Sequence, residues 1–147
     1  MDGKPRGEAL RRGRYSEPGR IYLITTVTRD RAPIFRNLEA ARSLVRTLRS
    51  AQDRGHAETL AYVVMPDHLH WLMRLGDVRP LAEVVRSVKA VTSRRPGHAV
   101  WQAGYHDHAV RREEDLTAIA RYIVANPLRA SLVRNLGDYP HWDAIWL

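Results

Sequence analysis

The sequence predicts an α+β fold in which helices pack on one antiparallel β-sheet within a single domain. The chain has 147 residues, of which 44% are hydrophobic, so it can form one domain with a substantial core but not two. Segments typical of strands and of helices are interspersed, and only a tight turn separates the two central strands. Strands joined by a tight turn must run antiparallel, which favours helices packed on one antiparallel sheet.

A basic arm is expected at the N-terminus. Residues 1–20 are rich in Gly, Pro and Arg and have few apolar side chains, which predicts partial disorder in the free protein. The β-branched run at residues 21–28 then predicts the first strand. We assign residues 21–135 to the folded domain and residues 136–147, which include three large aromatic side chains, to a C-terminal tail.

The middle of the chain is predicted to contain one helix and two strands. Apolar residues recur at helical spacing over residues 38–54, and Gly55 is a suitable helix terminator. Residues 57–65 and 68–74 are predicted strands, and the turn between them contains Pro66.

The second half of the chain is predicted to add two helices and a short strand. A helix is expected over residues 80–92, because Pro80 stands near its start and apolar residues follow at helical spacing. A short strand is expected over residues 105–111. The last helix is predicted over residues 113–125, since three acidic residues occupy its first turn, where the helix dipole favours negative charge.

Charge and composition narrow the range of functions. The net charge is +8, and nearly all of the 24 basic residues are Arg, whose planar guanidinium group matches phosphate. This excess predicts a nucleic-acid-binding protein, with a merely basic soluble protein as the alternative. Cysteine is absent, which excludes disulfides, thiolate catalysis and Cys-ligated zinc. No secretory signal or membrane-spanning segment is visible, so we expect a cytoplasmic protein with no membrane partner.

The triplet His68-Leu69-His70 is the strongest candidate for a functional site. It lies in a predicted strand, where alternate side chains share a face, so both imidazoles point the same way with Cβ atoms about 7 Å apart. Both rings can then converge on one metal ion, while Leu69, Trp71 and Met73 enter a core on the other face. The alternative is a pair of polar residues on the wet face of a half-buried strand.

A phenol and a carboxamide lie at one edge of the last predicted helix. Tyr122 falls just outside the edge of the apolar stripe, and Asn126 lies one turn further, almost directly above Tyr122. Both side chains therefore stand at the margin between core and solvent. The structural alternatives are a boundary tyrosine with a solvated hydroxyl and an asparagine that caps the helical turn starting at Pro127.

Taken together, these segments resemble the REP-associated tyrosine transposases, a branch of the single-tyrosine HUH transposase and nuclease superfamily. The resemblance is carried by residues 62–70, 104–116 and 121–130, which follow one another in the order found in that family. It extends over most of the chain, to about residue 135. Ser131 stands where the family tends to have Gly, and the short tail puts in question whether a self-regulating tail covers the site.

The resemblance implies a ferredoxin-like, HUH-type fold and roles for four residues. His68 and His70 would bind a divalent metal ion, with Asn126 as the third protein ligand. Tyr122 would be the nucleophile, and single-stranded DNA with a palindromic hairpin the substrate, cleaved through a 5′-phosphotyrosine. Two imidazoles and one amide oxygen leave open coordination positions, which suits Mg²⁺ or Mn²⁺ better than a closed zinc site. The covalent link conserves the phosphodiester energy, so ATP is not expected to take part.

Basic side chains are the candidate phosphate contacts, with a solvated charged surface as the alternative for each. Those of the arm and of the helix ends come first, and those near Tyr122 in the sequence are expected to hold the scissile strand. The DNA-binding candidates are Arg6, Arg11, Arg12, Arg14, Lys89, Arg94, Arg95, Arg111, Arg112 and Arg129. Tyr15, Trp101 and Trp142 are candidates for stacking on bases, although packing against the protein is favoured for each.

Two other functions stay open at the level of sequence. One is a non-catalytic nucleic-acid-binding module, and the other is a metal-dependent phosphodiesterase in which water replaces Tyr122 as the attacking group. His106 and His108 form a second His-x-His pattern, but Asp107 between them is unsuited to a core, so a DNA contact or a structural role is favoured. The recognised DNA sequence and the choice between monomer and homodimer are left undetermined.

Overall fold

Five antiparallel strands form one sheet in the described part of the chain, which the computed structural model gives as residues 16–94, 97–111 and 115–145. The strands are β1 (Ile21–Val27), β2 (Ala57–Met65), β3 (His68–Leu75), β4 (His106–Ala109) and β5 (Trp142–Ala144). The helices are α1 (Leu38–Asp53), α2 (Leu81–Arg94), α3 (Leu116–Val124) and the single turn α4 (Asn126–Arg129). None of these helices is long and apolar enough to cross a membrane. The predicted single-domain α+β class is confirmed.

Strand β3, which carries the histidine pair, lies at the centre of the sheet. The strand order is β4-β1-β3-β2-β5, so β3 pairs with β1 on one side and with β2 on the other. The register sets Thr25 of β1 and Val63 of β2 on either side of His70. Side chains in such a row share one face of the sheet, so Thr25 and Val63 lie on the face that carries the imidazoles.

The two faces of the sheet have separate cores. Leu69, Trp71 and Met73 alternate with the histidines and are buried together with side chains of α1 and α2, as predicted. Helix α3 packs on the opposite face, where Ile123 and Val124 join apolar side chains of β2 and β5. The face that carries the histidine pair is therefore the face that α3 partly covers.

Local signals explain where the helices begin and end. The side chain of Asn37 accepts a backbone N–H of the first turn of α1 at 3.0 Å, and Gly55, in the left-handed region at φ 76°, follows its end. The Asp115 carboxylate accepts two backbone N–H groups at the start of α3, so this helix begins at Leu116. The prediction had begun this helix at residue 113, and the two glutamates before Asp115 lie outside the described residues.

Both ends of the described chain are attached to the domain more closely than the sequence predicts. Ser16 Oγ accepts the backbone N–H of Leu81 at 3.0 Å, which fixes the end of the predicted arm to the start of α2. In the predicted tail, β5 pairs with β2, and the Tyr139 hydroxyl donates to the Val64 carbonyl at 2.6 Å. The tail thus contributes an edge strand, which the sequence does not signal because three residues are too few to display an alternating pattern.

Candidate functional site

The imidazoles of His68 and His70 lie side by side on the sheet face that α3 partly covers. Their ring centroids are 4.8 Å apart, and the ring planes meet at 80°. Both side chains are half-buried, because strands pair with β3 on both sides while part of the face stays open. The pair is therefore held on the most constrained strand of the sheet, with access from solvent.

Each imidazole is oriented by a hydrogen bond at Nδ1. His68 Nδ1 is 2.7 Å from Asp67 Oδ1, and His70 Nδ1 is 2.9 Å from Thr25 Oγ1. A carboxylate only accepts, so Nδ1 of His68 donates and its Nε2 carries the lone pair. Within the described residues, neither Nε2 atom has a hydrogen-bond partner. Metal-binding histidines are oriented in this way, with one nitrogen held and the other directed to the ion.

The electrostatics around His70 favour its neutral imidazole. Burial, followed by the charges of His68 and Arg129, lowers the pKa of His70 from 6.5 to about 4. His70 is therefore neutral at pH 7, which is the state that binds a metal ion. Burial raises the pKa of Asp67, but the hydrogen bond and charge of His68, with the charge of Arg31, outweigh it and hold that pKa below its ordinary value.

The turn between β2 and β3 is fixed by the segment that follows β1. The backbone N–H and the hydroxyl of Thr28 both donate to the Asp67 carbonyl, at 2.9 and 3.1 Å. Arg31 Nε donates to Asp67 Oδ2 at 3.1 Å, so both carboxylate oxygens have partners. Asp30 and Arg31 take left-handed φ values of 55° and 51°, which are unfavourable for residues with a Cβ atom.

Tyr122 projects from α3 at the edge of the face that carries the imidazoles. The helix buries Ala120, Ile123 and Val124 against that face, while Tyr122 is 66% exposed. The position of Tyr122 just outside the apolar stripe is the one that the sequence predicts. Its ring is therefore accessible beside the site and is not part of the core.

Arg129 links the tyrosine to the histidine pair. Its guanidinium carbon lies 3.9 Å from the centroid of the Tyr122 ring, and one guanidinium nitrogen donates to the Tyr122 carbonyl at 2.6 Å. The same positive charge contributes to the lowered pKa of His70. The buried Pro127 anchors the α4 turn that carries Arg129. This turn thus holds a cation on the ring of Tyr122 and within electrostatic range of His70.

Asn126 is half-buried at the start of α4 and does not act as a cap. Ala125 occupies the N-cap position, and no side-chain hydrogen bond closes this helix end. Among the described residues, no group of three or more His, Cys, Asp or Glu side chains is arranged to hold a metal ion. The family resemblance implies Asn126 as a third protein ligand beside the two imidazoles, and this role stays a prediction. Nitrogen and amide-oxygen donors fit Mn²⁺ or Mg²⁺ with open positions.

The other predicted DNA contacts are spread over several elements. Lys89 Nζ donates to the carbonyls of Gln102 and Gly104, at 2.8 and 2.7 Å, so its ammonium group holds a loop. Arg94 and Arg111 are exposed at the ends of α2 and β4. The predicted residues outside the described part of the chain are Arg6, Arg11, Arg12, Arg14, Arg95 and Arg112, together with the stacking candidate Tyr15.

The remaining candidates lie away from the imidazoles. Trp101 is buried, and Trp142 is half-buried with its indole N–H directed to a carbonyl at 3.2 Å, as packing roles require. In the register, His106 pairs with Thr25 and His108 with Leu23, which sets this second pair on the same face but two strands from β3. Strands lie about 4.8 Å apart, so His106 and His70 are separated by roughly 10 Å at the backbone.

Fold and site together define a class of α+β proteins in which a helix carrying a tyrosine packs on the sheet face that carries two neighbouring imidazoles. Residues 19–126 match the family described as Transposase IS200 like, and the chain belongs to that family. The resemblance to the REP-associated tyrosine transposases, inferred from the motifs, is thereby confirmed.

Individual relatives agree with this membership. The chain is 26% identical to a protein of Haemophilus influenzae assigned to the REP-associated tyrosine transposases, over 84% of this chain and 78% of the relative. It is 30% identical to the REP-associated tyrosine transposase of Escherichia coli K12 over 56% of this chain, which spans 52% of that protein. The structure of a REP-associated tyrosine transposase bound to a REP hairpin matches with a TM-score of 0.76 and 24% identity, over 88% of this chain and 79% of that one.

Proposed function

We propose that this protein is a metal-dependent single-stranded DNA endonuclease and strand transferase that acts on hairpin DNA through a 5′-phosphotyrosine. The observation that carries the proposal is the α3–α4 corner, where Arg129 stacks on Tyr122 and acts electrostatically on His70. Membership of a transposase family supports the reaction type, and a structural relative bound to a REP hairpin supports the form of the DNA.

The residues at the site have distinct tasks in the reaction. His68, His70 and Asn126 would hold Mg²⁺ or Mn²⁺, which when bound polarises the scissile phosphate and offsets its negative charge. The Tyr122 hydroxyl loses its proton and its oxygen bonds to phosphorus, while the bond from phosphorus to the 3′ oxygen breaks. That oxygen takes up a proton and leaves as a 3′-hydroxyl. Reversal with a new 3′-hydroxyl joins strands without ATP.

Arg129 is suited to assist both the phenol of Tyr122 and the scissile phosphate. Negative charge develops on the attacking oxygen and the phosphate as the new bond forms, so a nearby positive charge favours the reaction. The guanidinium group lies on the Tyr122 ring and has donors to spare for a phosphate oxygen. It would therefore hold the scissile phosphate next to the phenol, which agrees with its predicted role as a DNA contact.

A denaturing-gel assay for a covalent adduct tests the proposal. A hairpin oligonucleotide labelled on the 3′ side of the cleavage point should become linked to the protein in Mn²⁺, and chelator should prevent this. Tyr122→Phe deletes one exposed oxygen and should retain DNA binding but form no adduct. Tyr22→Phe, the same change on the other sheet face, is the control and should form the adduct. Alanine at both His68 and His70 should also abolish the adduct while the fold persists.

The outcomes separate the alternative functions. If Tyr122→Phe still cleaves the hairpin without an adduct, water is the attacking group and the protein is a phosphodiesterase. Binding without cleavage in the unaltered protein would identify a non-catalytic nucleic-acid-binding module. An adduct that persists in Tyr122→Phe would assign the nucleophile to another tyrosine.

A further inference from the structure

A basic stripe runs along α1, on the opposite side of the sheet from the imidazoles. Arg42, Arg46 and Arg49 are four and three residues apart, so they share one helix face and step along it by about 6 and 4.5 Å. All three are exposed. Within the described residues, Arg20, Arg31 and Arg74 pair with carboxylates, whereas none of the three stripe arginines does.

The stripe borders a groove with an aromatic floor. Between α1 and the segment leading to β5 lies a cleft of about 320 Å³ lined by the three arginines, Tyr62 and His141. It continues past Tyr62 into a second cleft of about 220 Å³. We call the groove formed by Arg42, Arg46, Arg49, Tyr62 and His141 the α1 groove.

The arginines are close enough to the floor of the α1 groove to act on its rings. Burial first, and then the charge of Arg42, lowers the pKa of His141, so this ring is neutral at pH 7. Burial and the charge of Asp143 raise the pKa of Tyr62, while the charge of Arg49 opposes them. Both rings are thus uncharged and half-buried beneath cations. Asp143 lines only the second cleft, so the first cleft is the more basic.

We propose that the α1 groove binds a single-stranded DNA segment, with the arginines on successive phosphates and a base on the Tyr62–His141 floor. Proteins that bind single strands combine a positive groove along the backbone with aromatic rings on which bases stack. The inference rests on the proposed function, and it extends it to a second contact with the same DNA. A duplex fits less well, since paired bases are stacked on each other and would leave the rings unused.

The position of the α1 groove suits a single-stranded DNA segment that continues from the catalytic face. Tyr62 precedes Val63, which lies beside His70 in the register, and successive residues of a strand point to opposite faces. The groove and the imidazoles are thus separated by the thickness of the sheet. His141 lies at the β5 edge of the sheet, where its carbonyl accepts the Val64 N–H. A DNA segment that crosses this edge near His141 passes from one face of the sheet to the other.

Binding of a twelve-residue oligothymidylate tests the inference in the presence of chelator, where no cleavage occurs. Changing Arg42, Arg46 and Arg49 to Gln together should weaken binding at least tenfold. The slope of log affinity against log salt should fall by about 2, because each phosphate contact to a single strand contributes about 0.7. The matched control changes Arg54, Arg79 and Arg86 to Gln, which removes the same charge from exposed positions outside the groove, and should cost less than threefold.

Photocrosslinking locates the bound strand. An oligothymidylate with 5-iododeoxyuridine at its centre should crosslink to Tyr62 or His141, as read by mass spectrometry of the peptides. Four results would each overturn the inference. Two concern the variants and the crosslinks: equal weakening of binding in both triple variants, and crosslinks confined to other residues. Two concern the unaltered protein: no binding of oligothymidylate, and preference for a duplex of the same length. The Tyr122 adduct is measured in a separate assay. If the adduct forms but the α1 groove binds no DNA, only the inference about the groove is refuted. If the groove binds DNA but no adduct forms, only the proposed nuclease activity is refuted.

Discussion

Asp67 connects the turn before β3 to the first imidazole of the site. One of its oxygens accepts from His68 and the other from Arg31, while its carbonyl is held by Thr28. A residue fixed at two side-chain oxygens and at its backbone carbonyl restricts the ring it contacts to one orientation. The proposed metal affinity therefore depends on a carboxylate that does not itself need to touch the ion.

Asp67→Ala should lower the affinity for Mn²⁺ by roughly 10–100-fold, because His68 loses the partner that fixes its tautomer and orientation. Isothermal titration calorimetry on the DNA-free protein measures this without reference to cleavage. Asp77→Ala, at an exposed position after β3, is the control and should bind Mn²⁺ as the unaltered protein does. Unchanged affinity in Asp67→Ala would mean that the carboxylate has no part in the metal site.

His70 should make the metal-free protein sensitive to acid. Its pKa is about 4 in the folded state and 6.5 in the unfolded chain, so only the unfolded chain gains a proton as the pH falls below 6.5. The stability contribution is present above pH 6.5 and is lost as the pH falls towards 4. Urea unfolding should show a loss of about 1–2 kcal/mol from this group between pH 7 and pH 5.

Two variants separate the contribution of His70 from those of other titrating groups. His70→Asn cannot titrate and should lose less stability over this interval than the unaltered protein. His98→Asn makes the same substitution in an exposed loop and is the control. Equal losses in His70→Asn and the unaltered protein would show that the imidazole is protonated as readily in the folded state.

At the scale of elements, α3 positions Tyr122 through packing on the opposite side of the same helix. Ile123 is 2% exposed and Ala120 and Val124 are also buried, so the helix is fixed against β2 and β5 by three neighbouring contacts. The adjacent α4 turn adds the Arg129 hydrogen bond to the Tyr122 carbonyl. The packing of α3 on the sheet therefore sets the direction in which the phenol of Tyr122 points.

Ile123→Ala should destabilise the protein by about 2–5 kcal/mol, the usual range for truncating a buried aliphatic side chain. Adduct formation with the hairpin should also slow, because a cavity beneath α3 lets Tyr122 shift relative to the imidazoles. Ile119→Ala, in the same helix but only partly buried, is the control and should have a smaller effect on both measurements. Thermal unfolding and the rate of adduct formation provide the two readouts, and normal adduct kinetics in a destabilised Ile123→Ala would argue against this coupling.

The elements also define how far the sequence could predict the site. Two features follow from the periods of strand and helix, and the structure has both as expected. They are the alternation of faces through His68, Leu69 and His70, and the position of Tyr122 at the edge of the apolar stripe of α3. Thr25 could not be predicted as the partner of His70, because the β1–β3 register is set by packing across the sheet. Arg31 was missed since its contact depends on the path of an irregular segment with two left-handed residues. The sequence could have indicated Asp67, because it is an acidic residue directly before His68.

At the scale of the whole molecule, charge is distributed so that both faces of the sheet have basic side chains. The chain has a net charge of +8. Arg129 lies on the Tyr122 ring at the face that carries the imidazoles, and the basic stripe of α1 lies on the opposite side of the sheet. Contacts to phosphate release counterions, so the affinity for DNA should fall steeply with salt. The sequence predicts that the N-terminal arm adds to this effect.

Neutralising Arg11, Arg12 and Arg14 together should weaken hairpin binding and reduce the slope of log affinity against log salt by about 2–3. Fluorescence anisotropy with a labelled hairpin, repeated from 50 to 300 mM salt, measures both quantities. Reversing the order of the arm residues while keeping their composition should leave the slope unchanged, since phosphate contacts depend on charge. A slope that does not respond to the neutralised arm would mean that these residues do not touch the DNA backbone.

The placement of Tyr122 and the histidine pair in different halves of the chain has a consequence for synthesis on the ribosome. The β2–β3 hairpin forms from neighbouring residues, whereas α3 reaches β2 only across some fifty residues of intervening chain and packs with β5 beside it. Domains emerge N-terminal half first, so the imidazoles are assembled before Tyr122 has left the exit tunnel. A nascent chain therefore presents the two imidazoles before it presents Tyr122, and a truncated product that ends before α3 lacks the residue proposed to form the covalent link to DNA.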